Sequence, residues 1–213
     1  MSEEIAMPVQ KKTAAYHGML LGIYATLATA LLIGGEMYTR DTIALRKSED
    51  LQALLSQVIP DTLHDNNLLD NQLSIQHDNK VIIVYQGIRD NQVTALAYSV
   101  GEPGYSGTIT LLMGINTTGE ILAVRVLSHT ETPGLGDKIE EKKDDWIFSF
   151  NGRSLSNLAS EKWKVKKDGG EFDQFSGATI TPRAVVKAIK KGLDMFALHR
   201  DELLTVNKLS ASH

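Results

Sequence analysis

The chain has 213 residues, 42% of them hydrophobic, and its 22 Lys and Arg against 26 Asp and Glu leave a formal net charge of −4. That acidic balance argues against a nucleic-acid binder, which needs a basic footprint, and 6% aromatics argue against a base-stacking platform. With no cysteine, disulfides, thiolate zinc sites, Cys-ligated iron–sulfur clusters and thiol nucleophiles are excluded, so any redox chemistry must sit on a cofactor held by other side chains.

Residues 1–12 read as a short tail. Between Lys12 and Glu36, 23 residues carry no Asp, Glu, Lys or Arg, centred on MLLGIYATLATALLIGG. At about 1.5 Å per residue the run reaches roughly 35 Å, which predicts a transmembrane helix over 13–36. A buried core helix and a cleaved signal peptide are the alternatives; the run exceeds the usual signal h-region, which favours a retained anchor. Gly18, Gly22, Gly34, Gly35 and three alanines suit close helix approach in lipid, and Thr26 and Thr29 are available to a neighbouring helix. Lys11 and Lys12 on one flank nearly balance Arg40, Arg46 and Lys47 on the other, so charge leaves the orientation open.

Residues 37–79 read as an amphipathic helix and a connecting segment. Leu51, Leu54, Leu55 and Val58 recur at helical spacing, Pro60 marks the stop, and 61–79, with its clustered Asp and Asn, is expected to be irregular. Short apolar, β-branched runs then predict strands at 80–88, 92–101, 107–116 and 121–129, the last two joined by a tight Thr117–Glu120 connection. Residues 137–150 read as a helix burying Ile139, Trp146, Ile147 and Phe150. A final helix is expected from Pro182 to about Leu204, with Val185, Val186, Ile189, Leu193 and Phe196 on one side. The expected fold class is α+β: one N-terminal transmembrane helix, then a single mixed or antiparallel-sheet domain with flanking helices over 80–205, and a tail at 206–213.

Two loops carry candidate chemistry. His129 to Gly136 holds a carboxylate (Glu131), hydroxyls (Thr130, Thr132), Pro133 and two glycines after a strand, where backbone N–H groups can approach a ligand. An ordinary strand connection has the same composition. Asp173 to Pro182 places Ser176-Gly177-Ala178-Thr179 just ahead of a helix whose N-cap is expected at Thr181, with Pro182 in its first turn. Unpaired N–H groups and the helix dipole there favour a phosphate, although a plain cap and turn look alike, and no P-loop pattern is present. His64, His77, His129 and His199 are scattered, no metal-ligand spacing occurs, and no catalytic residue is expected.

Taken together, Asp173-x-x-Ser176-Gly177-Ala178-Thr179-x-Thr181 resembles the flavinylation signature of the FMN-binding domain family. Glu131-Thr132-Pro133-Gly134-Leu135-Gly136, with Asp137-Lys138-Ile139 after it and Gly104-Tyr105-Ser106-Gly107 before it, resembles the G subunits of Rnf (Rsx) ion-translocating electron-transport complexes. The C subunit of the sodium-translocating NADH:quinone oxidoreductase shares the flavin motif but resembles a longer chain. The resemblance spans roughly 10–205. It implies a covalent FMN, moved from FAD by a flavin transferase onto Thr179 as a phosphoester, with Asp173, Ser176, Gly177, Ala178 and Thr181 forming the element that the transferase reads. It further implies that Glu131, Thr132, Leu135 and Gly136 line the isoalloxazine, Leu135 as an apolar contact. The implied protein is an electron-carrying subunit, not catalytic alone, held in the cell inner membrane by a single pass. Its N-terminal tail is cytoplasmic and its C-terminal domain periplasmic, beside the other subunits of a ferredoxin:NAD oxidoreductase. A non-redox assembly subunit and a stand-alone extracytoplasmic flavoprotein reductase are the competing functions.

Overall fold

The structure is a computed structural model and describes residues 9–206. It divides into two compact units, one of residues up to Asp50 and one beginning at Leu51. Helix α1, Val9–Val58, supplies the described part of the first unit, and its last eight residues belong to the second.

Within the first unit, the 26-residue stretch Ala15–Arg40 contains an 18-residue window of mean hydropathy 1.7, none of that window buried. At 1.5 Å rise the whole stretch covers about 39 Å, enough for a hydrocarbon core of about 30 Å. Thr26 and Thr29 donate their hydroxyls to the carbonyls of Gly22 and Ala25, each at 2.8 Å. These hydroxyls, expected to be available to a neighbouring helix, are satisfied inside α1, which lowers the cost of placing them among apolar side chains.

The second unit holds strands β1 (Gln72–His77), β2 (Lys80–Arg89), β3 (Gln92–Pro103), β4 (Thr108–Asn116) and β5 (Ile121–Ser128), antiparallel throughout and paired in chain order. Asp78-Asn79 and Asp90-Asn91 sit at φ 48° and 59° and at φ 50° and 59°. Two positive-φ residues are the type I′ arrangement that matches hairpin twist, and Asn and Asp tolerate it. β1 corrects the expectation of an irregular 61–79: Ile75 is buried and Leu73 half-buried between exposed polar neighbours, a half-covered edge strand.

Both faces of the sheet are covered. On one, Leu96, Tyr98, Leu111, Met113 and Val124 pack with helix α2 (Ile180–Leu203) through Val185, Ile189, Leu193 and Phe196. On the other, Ala95, Ala97, Leu112 and Ala123 pack with Leu55, Val58, Ile59 and Leu68. Strands buried on both faces read as continuous apolar runs, which is the pattern of β3 and β4.

The helix expected over 137–150 is instead two 3₁₀ turns, Asp137–Ile139 and Asp145–Phe150. Asp144 is extended at φ −159° and accepts the Trp146 N–H at 2.9 Å, so it caps a new turn where a continuous helix would need helical backbone. Ile139, Trp146, Ile147 and Phe150 are nonetheless buried. The irregular stretch that follows is packed by aromatic rings: Phe150 stacks on Phe172 at 4.4 Å, and Trp146 meets Phe175 edge-on at 5.0 Å.

Candidate functional site

The end of β5 and the start of α2 deliver the two loops singled out above to one cleft of about 250 Å³. Glu131, Thr132, Leu135 and Gly136 line one side; Gly177, Ala178, Thr179, Ile180 and Thr181 line the other. Tyr105 joins them from the β3–β4 connection. The first and last of these residues are separated by more than seventy positions in sequence, so only the fold brings them together.

The attachment motif is a tight turn. Ala178 N–H donates to the Phe175 carbonyl at 3.2 Å, and Gly177 sits at φ 81°, a conformation that L side chains rarely adopt. Thr179 follows as the N-cap of α2, half-buried, its hydroxyl making no capping bond. The expectation that Thr181 caps the helix is corrected: Thr181 lies inside the first turn, is 1% exposed, and donates its hydroxyl to Glu131 Oε2. Moving the cap back two residues leaves Thr179, and not Thr181, with an uncommitted hydroxyl at the helix N-terminus, where the dipole favours an anion.

Asp173 and Ser176 do not line the cleft. Both are exposed, and Asp173 pairs with Lys166 at 2.7 Å while its carbonyl accepts the indole N–H of Trp146 at 2.8 Å. Arg183, one turn into α2, makes two 2.6 Å hydrogen bonds with Asp168, which holds the Asp168 carboxyl below and the guanidinium above their usual ranges. Tyr105 and Ile180 line the cleft without a contact role expected from the sequence, and Thr181, expected to serve transferase recognition, lines it too. Tyr105 stands in the Gly-Tyr-Ser-Gly element, which was a usable signal; Ile180 is an unremarkable position of the motif whose side chain is left half-exposed at the helix start.

The first loop is braced from below. Asp137 accepts from Lys143 Nζ at 2.8 Å, and that contact, with the Gly134 N–H, holds its carboxyl below the usual range against burial. Glu140 is lowered by Lys143 and then His129, and Lys143 is raised by the two carboxylates. Glu131 N–H donates to His129 Nδ1 at 3.1 Å, which leaves Nε2 to donate to Glu140 at 2.9 Å. His129 is thus a scaffold residue outside the cleft wall. No group of three or more His, Cys, Asp or Glu suited to a metal occurs among the described residues.

Three kinds of comparison bear on this arrangement. A family model for the FMN-binding domain matches residues 104–194, which spans both loops. The G subunit of the ion-translocating oxidoreductase complex of Cereibacter sphaeroides is 50% identical over 91% of this chain and 89% of its own length. Its counterpart of the same name from Vibrio vulnificus is 45% identical over 88% and 92%. Among solved structures, Shewanella oneidensis NqrC aligns with TM-score 0.47 and 20% identity, covering 68% of this chain and 73% of its own.

Proposed function

The chain belongs to the family of G subunits of ion-translocating oxidoreductase complexes, and from that premise we propose that it carries electrons on an FMN joined to Thr179 by a phosphoester. The observation that carries this reading is the meeting of Glu131–Gly136 with Gly177–Thr181 around one cleft, beside a threonine hydroxyl free of capping. When bound, the isoalloxazine supplies reversible electron storage that no side chain of a cysteine-free chain offers.

The residues fit such a group. Leu135, Ile180 and Tyr105 offer apolar surface, each with a large exposed fraction, while Gly136, Gly177 and Ala178 leave the backbone accessible. Thr179 presents its oxygen at the positive end of α2, which stabilises a phosphate diester. The cleft is smaller than the 300–1,000 Å³ typical of enclosing ligand pockets, so it suits a ring held at the surface with an edge open to a redox partner.

Maturation requires a flavin transferase that joins the Thr179 oxygen to the FMN phosphorus of FAD, with release of AMP and the hydroxyl proton. Asp173 and Ser176, both exposed, suit recognition from outside, whereas Thr181 contributes from within by holding the turn. The Ala15–Arg40 stretch serves as a single-pass anchor in the inner membrane, with the domain in the periplasm. There a tether keeps the flavin from diffusing away, and the carrier relays electrons among the other subunits of a complex that couples ferredoxin and NAD to ion movement. It is not catalytic alone.

The test is in-gel flavin fluorescence of the denatured full chain co-expressed with the transferase. A fluorescent band that survives Thr132→Ala and vanishes in Thr179→Ala supports the assignment. A dark wild-type band, or fluorescence persisting in Thr179→Ala, contradicts it.

A further inference from the structure

Glu131 is 4% exposed, yet among the described residues no cation pairs with it. Its partners are neutral donors. Oε1 accepts the Tyr105 and Ser106 N–H groups, each at 3.0 Å, and Oε2 accepts the Thr181 hydroxyl. The neighbouring charges are spent on one another: Lys143 binds Asp137 and Glu140, and His129 turns its Nε2 to Glu140. Two glycines make room for the carboxylate. A Cβ at Gly104 would stand 2.6 Å from Oε1, and one at Gly136 would stand 2.9 Å from both the Glu131 Cβ and the Thr181 Oγ1.

Burying a carboxylate is costly unless it is hydrogen-bonded, and here three neutral donors meet that need. Glu131 is also one of the residues that line the cleft. A fixed negative charge beside a redox group disfavours the added electron, and low dielectric strengthens the effect.

We propose that Glu131 sets the reduction potential of the flavin in this cleft, holding it low through a buried charge locked between the Gly104–Gly107 turn and the start of α2. The proposal rests on the FMN reading of the cleft. Glu131 also acts as a positioning residue, because its two oxygens join the turn carrying Tyr105 to the helix turn that follows Thr179. Charge and position have separable consequences.

The experiment is a spectroelectrochemical titration of covalently flavinylated full-length protein as wild type, Glu131→Gln and Thr181→Val. The glutamine retains an acceptor for the two N–H groups and removes the charge, so its midpoint shifts to more positive potential. The valine keeps the charge and removes one donor, so its midpoint shifts the opposite way. Loosening of the cleft alone would not give opposite signs. A Glu131→Gln midpoint at or below wild type overturns the proposal, as does a Thr181→Val midpoint at or above it. Should one variant fail to fold, the other still decides by its sign. Failure of the FMN reading has a different signature, the absence of covalent flavin in the wild-type protein.

Discussion

The indole N–H of Trp146 donates to the main-chain carbonyl of Asp173 at 2.8 Å, tying the 3₁₀ turn Asp145–Phe150 to the first residue of the attachment motif. The ring lies against Phe150 and Phe175, so one side chain supports the motif by both packing and a hydrogen bond.

Trp146→Phe keeps an aromatic ring and removes the hydrogen bond to the Asp173 carbonyl, which should cost about 1 kcal/mol. Trp146→Ala removes the ring as well and should cost about 3–5 kcal/mol. Urea unfolding of the two variants measures the difference. Flavin attachment should fall in the same order, because the turn before Thr179 loses its support.

Tyr98 is fully buried and donates to the Gly192 carbonyl at 2.9 Å, and burial pushes its phenol well above the ordinary value of 10. A folded pKa above the unfolded one means that the unfolded chain loses its proton first, so stability falls as pH rises above about 10. Ultraviolet titration should show Tyr98 ionising only with unfolding. Tyr98→Phe should remove that alkaline step and cost about 1 kcal/mol at neutral pH.

Strands β2 to β5 were legible because β-branched apolar runs ended at Asn, Asp and Gly. β1 was not: its Leu73 and Ile75 are set among Asn and Asp residues that signal turns, and Asp78-Asn79 is indeed one, but as the hairpin joining β1 to β2. Residues 137–150 show helical spacing of apolar positions, and only the Asp144 cap reveals that the backbone breaks there. Both cleft loops were legible from composition and order. The role of Thr181 was not, since a threonine before proline reads as a cap, and only the fold brings Glu131 across fifty positions to claim its hydroxyl.

The Asp137–Lys143–Glu140 cluster makes the first loop acid-sensitive. Both carboxyls are lowered in the fold, so their contribution is present above the unfolded value near 4 and is lost as pH falls through the folded values. Hydrogen exchange at the Gly134 amide should accelerate below about pH 4. Lys143→Met should destabilise the protein at pH 7, and its difference from wild type should shrink on acidification.

Alkaline phosphatase fused after Val206 should be active, and the same reporter fused after Lys12 inactive, if Ala15–Arg40 crosses the membrane once with the domain outside. The reverse pattern would place the domain in the cytoplasm.

Tandem mass spectrometry of the peptide containing Thr179, from full-length chain co-expressed with a flavin transferase, tests the central claim most directly. We expect the mass of FMN, less one water, on the Thr179 side chain. An unmodified Thr179, or a flavin carried at any other residue, would contradict it.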